Sequence, residues 1–197
     1  QWTKLGETQS IINIATDGGI FYSLNNGSTF TDRNKNLAIK QFYSCAIHPT
    51  DANYILGGAQ DNGSHQFKNP DLSYTTEVTG GDGAFVDIDQ DQPQYQFASY
   101  VYNQYRRSTN GGATWSSFNI SSTIGGFINP FDYDDVQNIM LCGANSNSFI
   151  RWNDPQTASG TASTNTISLT ELNGTVSTIQ VSPYTTGRAY FGSSSGR

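Results

Sequence analysis

The sequence carries little charge and few basic residues. Only 13% of its 197 residues are charged, and ten Lys and Arg stand against sixteen Asp and Glu, for a formal net charge of −6. Nucleic acids and anionic membrane surfaces bind proteins through basic patches. Here Arg106 and Arg107 are the one pair of adjacent basic residues. We therefore predict that nucleic acid is not a partner.

Long apolar runs are missing as well, and cysteine is scarce. A membrane-spanning helix needs about 18 or more consecutive apolar residues, and the chain has no such run, so we expect no membrane insertion. Two cysteines are too few for a disulfide framework. Cys45 and Cys142 each lie within an apolar stretch, and we predict that both are free and buried.

The sequence is rich instead in neutral polar residues and aromatic residues. Ser, Thr, Asn, Gln and Gly replace charge as the source of solubility, while aromatic residues reach 13%. Such a composition favours short strands and many turns over helices. It is also typical of secreted bacterial proteins. We therefore predict an all-β protein at an extracellular or cell-surface location.

A short motif occurs twice. Both copies fit Ser-x-Asn-x-Gly-x-Thr-aromatic, and their starts differ by 108 − 23 = 85 positions, or two units of about 42. Asn side chains accept backbone N–H groups inside tight turns, and Gly allows a positive φ there. The aromatic ring would pack between neighbouring sheets. The motif residues are Ser23, Asn25, Gly27, Thr29 and Phe30, and again Ser108, Asn110, Gly112, Thr114 and Trp115.

A strand–turn–strand pattern recurs with the same period. If Tyr54, Tyr95, Ile139 and Tyr190 are equivalent, the steps between them are 41, 44 and 51 residues. The polar tract 157–166 explains the longest step as a flexible inserted loop. A unit of this length is close to one four-stranded propeller blade. The predicted units are 1–40, 41–82, 83–125, 126–174 and 175–197.

These repeats resemble the Asp-box (BNR-type) propellers, a group that includes sialidases, sortilin-like domains and family-74 glycoside hydrolases. The resemblance is strongest over residues 16–23 and 107–115 and extends weakly over the chain. It implies four-stranded antiparallel blades. Since the units within 41–173 are complete and the first and last units are partial, we expect an incomplete ring of about three full blades and two partial ones. The resemblance also implies that Asn25 and Asn110 are structural, on the rim away from the binding surface. We expect the chain to belong to a larger polypeptide.

Two other sets of loops are then expected to share the opposite face and to carry function. One set joins the second and third strands of each unit, and the other joins consecutive units. They are polar, rich in amides and mildly acidic, which suits a polysaccharide or a cell-surface protein. The alternative is that these residues only serve as solvated turns. The predicted binding residues are Asp17, Asp61, Asn62, Asp82, Tyr102, Asn103, Asn145 and Asn147.

Catalysis is the competing hypothesis. Asp17, Asp61 and Asp82 would supply the carboxyl pair that glycoside hydrolysis requires. The motif Asp17-Gly18-Gly19 partly resembles the catalytic motif of family-74 enzymes but lacks the residue between Asp and Gly-Gly. A sialidase fits worse, since its three converging arginines have no counterpart here. We favour a non-catalytic binding module.

Metal and cofactor motifs are weak in this sequence. The run Asp87-x-Asp89-x-Asp91 begins like an EF-hand loop. Gln92 then replaces the sixth-position Gly, and Ala98 replaces the twelfth-position Glu. We therefore predict no metal site and no cofactor.

Overall fold

The structure, a computed structural model, describes residues 2–4, 10–16, 19–34, 40–69, 75–158 and 161–196. Within them, all regular secondary structure is antiparallel strand, apart from one 3-10 turn at Thr161–Ser163. None of the described segments forms a helix that is long and apolar enough to cross a bilayer. The chain divides into two compact units, Gln1–Gln41 and Phe42–Arg197.

The first unit is a single four-stranded sheet. Its strands follow one another in the order of the sequence: β1 Trp2–Lys4, β2 Ser10–Thr16, β3 Gly19–Ser23 and β4 Thr31–Asp32. We predicted a partial unit here, and that prediction is wrong. Trp2 pairs with Ile12, so the residues before β2 supply a first strand. The described chain thus has four four-stranded sheets rather than three.

The second unit contains three further four-stranded sheets, each again in sequence order. The second sheet is β5 Phe42–Ile47, β6 Ile55–Ala59, β7 Gly63–Phe67 and β8 Thr76–Thr79. The third is β9 Val86–Ile88, β10 Gln96–Ser99, β11 Asn103–Ser108 and β12 Ser116–Ser121. The fourth is β13 Phe131–Asp134, β14 Ile139–Gly143, β15 Ser148–Asn153 and β16 Thr164–Ser168.

A two-stranded sheet ends the second unit, formed by β17 Val176–Val181 and β18 Ala189–Ser193. First strands pack against first strands, β5 on β9 and β13 on β17. Among the described residues, the second and fifth sheets share no ladder of hydrogen bonds, so the sheets of this unit do not close into a ring. The fold class predicted from the sequence is therefore confirmed, apart from the number of complete sheets.

The hydrophobic core lies between neighbouring sheets of the second unit. At the junction of the third and fourth sheets, Tyr105, Trp152 and Met140 are fully buried, and Phe118 packs on Trp152 with ring centroids 4.1 Å apart. Each buried aromatic side chain removes about 150–250 Å² from water. Alternate residues of each strand supply this face because strand side chains point to opposite sides in turn.

Two sequence predictions need correction in these sheets. Cys45 and Cys142 are both free, but only Cys142 is buried. Ala46 packs against the core between the second and third sheets, so its neighbour Cys45 points to the other, exposed face of β5. The tract 157–166 is also not a loop throughout, because β16 begins at Thr164 and pairs with β15.

Candidate binding face

The two copies of the repeated motif form the same turn, bond for bond. Ser23 Oγ accepts the backbone N–H of Gly27 at 2.9 Å, and Asn25 Oδ1 accepts that of Thr29 at 2.9 Å. The second copy repeats both bonds at 2.9 Å, from Gly112 to Ser108 and from Thr114 to Asn110. In each copy the Asn Nδ2 also donates to the Thr Oγ1, at 2.8 and 2.9 Å. These side chains are occupied within their own turns.

The second turn is anchored to the neighbouring sheet. Gln66 Nε2 in β7 donates to the carbonyl of Gly112 at 2.8 Å, and Trp115 Nε1 donates to the same oxygen at 3.2 Å. Trp115 packs against the core between the second and third sheets. Phe30, its counterpart, is exposed. The predicted packing is therefore found in one copy.

The other end of these sheets carries the candidate site. Strand β11 begins at Asn103 and ends at Ser108, so the loop before it and the turn after it lie at opposite ends. We use "loop face" for residues 60–62, 80–83, 100–102, 125–127 and 145–147. Backbone bonds join these loops in pairs, including Gly63 N to Gly81 O at 2.6 Å and Tyr102 N to Phe127 O at 3.0 Å. The structure thus brings together loops of both predicted sets within the described part of the second unit.

Asp61 and Asp82 meet on this face. The backbone N–H of Asp61 donates to Asp82 Oδ1 at 3.1 Å, across the loops that follow β6 and β8. Asp61 has φ 55°, a left-handed conformation that Asp tolerates better than most residues. Its side chain is exposed, and that of Asp82 is half-buried. Asp17, the third predicted carboxylate, lies outside the described residues.

Three aromatic residues lie in the loops of this face. Tyr100 packs over Gly81, where an added Cβ would stand 2.6 Å from its ring. Tyr102 and Phe127 make an edge-to-face contact, with ring centroids 5.9 Å apart and planes at 85°. Phe127 remains 55% exposed. Sequence reasoning missed Phe127 and Tyr100 because apolar rings next to strands are usually core residues.

The predicted amides divide between surface and interior. Asn103 is fully buried, and its Nδ2 donates to Ile124 O at 2.9 Å and Gly143 O at 3.0 Å. Its Oδ1 accepts from Tyr105 OH and Asn129 Nδ2. All four bonding positions are used, so Asn103 joins sheets and its prediction as a surface-binding residue is wrong.

The remaining amides stay near the surface. Asn145 is exposed, and its Oδ1 accepts Gly125 N at 2.8 Å. Asn62 is half-buried, with Nδ2 donating to Gln60 O at 2.8 Å. Asn147 is half-buried, and its carbonyl accepts Leu169 N at 2.7 Å. Each retains polar atoms that can contact a ligand, and these bonds fix the loops that present them.

Carboxyl groups with raised pKa lie elsewhere, on the first strands or directly after them. Burial raises the pKa of Asp87 well above its usual range, and the neighbouring charge of Asp132 raises it further. Burial likewise raises the pKa of Asp132 and of Asp89. Both Asp87 and Asp132 hydrogen-bond the backbone of Tyr133, so they lie close together. Across the described part of the chain, His, Cys, Asp and Glu form no group of three that could hold a metal ion.

Comparison with known proteins gives structural likenesses only. No family model matches the sequence, and no curated protein matches it. The structure is similar to that of the GH74 enzyme of Niastella koreensis, with TM-score 0.51 and 14% identity over 93% of this chain and 26% of that one. It is also similar to a chain of the mitotic checkpoint complex, with TM-score 0.54 and 9% identity over 89% of this chain and 51% of that one.

These likenesses concern the fold. The chain spans about a quarter of the first of these proteins and about half of the second. Both neighbours are propellers, and the four-stranded antiparallel sheets described above are consistent with propeller blades. The comparison therefore supports a repeat protein of the propeller type.

Proposed function

We propose that this chain is a non-catalytic binding module of a larger secreted or cell-surface protein, and that the loop face recognises a polysaccharide or a surface protein. The observation that carries the proposal is the exposed ring of Phe127, held edge-on by Tyr102. An exposed aromatic face stacks on the C–H groups of a sugar or on an apolar side chain. Because the Phe127 ring lies in a loop otherwise rich in Gly and Asn, a role in ligand binding explains it better than a role in the hydrophobic core.

Other polar groups of the loop face support the same proposal. Asn145 offers both a donor and an acceptor, and the carboxylates of Asp61 and Asp82 accept hydrogen bonds from hydroxyl groups. Backbone bonds between the loops hold these groups in place before a ligand arrives. Because such groups need little ordering on binding, less affinity is lost to entropy. The acidic character of the face favours a neutral glycan over an anionic one.

We further propose that the two Ser-x-Asn-x-Gly-x-Thr turns are Asp boxes. Their matching hydrogen bonds and their spacing of 85 residues support this. Since these side chains bond within their own turns, their role in this proposal is structural.

A glycan array, followed by titration of each polysaccharide bound, tests the binding role. Phe127→Ala is expected to weaken binding about tenfold, in the range of a buried aromatic contact. Tyr190→Ala is the matched control, because Tyr190 is equally exposed at 55% and lies on β18. Equal binding by both variants would contradict the loop face as the site. If the chain binds a protein but no glycan on the array, the ligand of the loop face is a surface protein.

A second candidate function is glycoside hydrolysis. The contact between Asp61 N and Asp82 Oδ1 favours it, because it brings two acidic residues together on the face that would meet a polysaccharide. Hydrolysis needs two carboxyl groups roughly 5–9.5 Å apart. The test is release of reducing sugar from a bound polysaccharide. If this activity is lost in Asp82→Asn but kept in Asp51→Asn, the chain is a glycoside hydrolase and not a non-catalytic binding module.

A further inference from the structure

A groove runs along the first strands at the end of the sheets away from the loop face. Its volume is about 670 Å³, and β5, β9, β13 and β17 line it. The turns that follow β13 and β17 and the end of β5 also contribute to its lining. We call it the first-strand groove.

The rim of this groove is apolar and exposed. Ile47 is 60% exposed, Val136 is 62% exposed and Tyr184 is 95% exposed. The Tyr184 turn is fixed by Ser182 Oγ, which accepts Tyr184 N at 3.3 Å and Thr185 N at 3.1 Å. Three large apolar side chains around one opening are more than scattered surface residues require.

The floor of the groove carries charge of one sign. Its acidic residues are Asp87, Asp132, Asp134 and Asp135, and no Lys, Arg or His is among the described residues that line it. Asp132 Oδ2 accepts Val181 N at 2.5 Å and Gln180 Nε2 at 3.1 Å, which fixes its carboxylate. A groove with low-dielectric walls and one sign of charge concentrates ions of opposite sign. A cationic occupant would therefore relieve the repulsion among these carboxylates.

Two kinds of cation fit this groove poorly. A metal ion needs several ligands converging on one point, and the described residues form no such group. A small polyamine neutralises charge but leaves the apolar rim exposed to water. An Arg or Lys side chain with apolar neighbours satisfies both the floor and the rim, and an Arg guanidinium also stacks on a tyrosine face.

We propose that the first-strand groove binds a basic segment of a protein partner, with an Arg or Lys in the acidic floor and apolar side chains on the rim of Ile47, Val136 and Tyr184. This surface is separate from the loop face, so the inference stands independently of the proposed function.

The test uses fluorescence anisotropy of the full chain with a labelled peptide, Gly-Leu-Arg-Phe-Arg-Leu-Gly. A matched peptide carries citrulline in place of both arginines, which keeps the shape and removes the charge. We expect the citrulline peptide to bind about tenfold more weakly or not at all, as for loss of a close charge pair. Equal affinity for the two peptides, or binding to neither, would overturn the proposal.

Two variants locate the contact. The double change Asp87→Asn and Asp132→Asn is expected to weaken arginine-peptide binding about tenfold, whereas Asp61→Asn on the loop face leaves it unchanged. Tyr184→Ala is expected to weaken it about threefold, and its high exposure makes misfolding no concern. If Asp61→Asn weakens binding as much as the double change, the groove is not the site. Displacement of the peptide by spermidine as readily as by unlabelled peptide would instead assign the groove to small cations.

Discussion

Asn129 Nδ2 donates to Asn103 Oδ1 at 3.0 Å, joining the loop before β13 to the start of β11. Both side chains are buried, and Gly143 O accepts from each of them at 3.0 Å. A buried polar network is stable only when all its members are bonded. This pair therefore fixes the junction of the third and fourth sheets beneath the loop face.

Removing one member of the pair should destabilise the fold. Asn103→Ala leaves Gly143 O, Ile124 O and Tyr105 OH with fewer partners inside the protein, and we expect a loss of about 2–4 kcal/mol in unfolding free energy. Urea denaturation followed by tryptophan fluorescence measures it. Asn119→Ala, at an exposed position of β12, is the control and should change stability by less than about 0.5 kcal/mol. A similar loss for both would mean that the amide network contributes nothing specific.

Two adjacent glycines test how the second turn is anchored. Gly111 and Gly112 both have positive φ, at 67° and 76°, so alanine strains the backbone at either position by about 1–2 kcal/mol. A Cβ at Gly111 meets nothing within 4 Å, whereas at Gly112 it collides with Gln66 Nε2. We expect Gly112→Ala to cost at least about 2 kcal/mol more than Gly111→Ala, measured by the same denaturation. Equal costs would show that the turn does not rest on the neighbouring sheet.

The motif turn should accept aspartate in place of Asn110. Asn110 Oδ1 accepts Thr114 N, and this bond survives the substitution because a carboxylate oxygen is also an acceptor. The Thr114 hydroxyl, now an acceptor from Nδ2, can reverse and donate. Asn110→Asp should stay within about 0.5 kcal/mol of the parent, whereas Asn110→Ala should lose about 1–3 kcal/mol. Thermal unfolding distinguishes these outcomes. An equal loss of stability in Asn110→Asp and Asn110→Ala would mean that the Thr114 hydroxyl does not donate to the aspartate.

The sheets could be predicted from the sequence because strands and turns leave local signals. Alternating apolar residues predict the strands. Asn and Gly predict the turns, because the Asn side chain forms their hydrogen bonds and Gly permits their backbone conformation. The first strand of the first unit was missed, since Trp2–Lys4 is too short to show alternation. Local pattern thus predicted the architecture and left the count of complete sheets wrong.

The candidate site was harder to predict because burial depends on what packs against a residue. Asn is common in surface loops, but Asn103 is buried and bonds to Gly143 of the neighbouring sheet. Phe is usually a core residue, but Phe127 is exposed. Asp87 and Asp132 are 45 positions apart in the sequence, by 132 − 87, and only the packing of first strands brings them together.

Stability should fall as pH rises from acid toward neutral because of Asp87. Its pKa in the folded chain lies well above the ordinary 3.8, so the folded state keeps a proton that the unfolded state releases. The stability from that proton is complete below about 3.8 and is lost as pH rises through the folded pKa.

Asn cannot ionise, so Asp87→Asn removes this loss of stability, and at pH 7 the Tm of the variant should exceed that of the parent. Tm is measured from pH 4 to 7, with the exposed Asp51→Asn as control. A variant no more stable than the parent at pH 7 would contradict a pKa of Asp87 raised by burial and by the charge of Asp132.

The two thiols should differ sharply in reactivity. Cys45 is exposed on β5, whereas Cys142 is buried, and burial raises the pKa of the Cys142 thiol to about 12. Thiolate is the reactive form, so a buried thiol of high pKa reacts only after the protein opens. Native protein treated with a thiol-reactive chromophore should therefore take up one label quickly, and a second only in denaturant. Cys45→Ser should abolish the fast phase and Cys142→Ala should keep it. Two fast labels in the native protein would mean that the junction of the third and fourth sheets opens readily, in conflict with the buried amide network beside it.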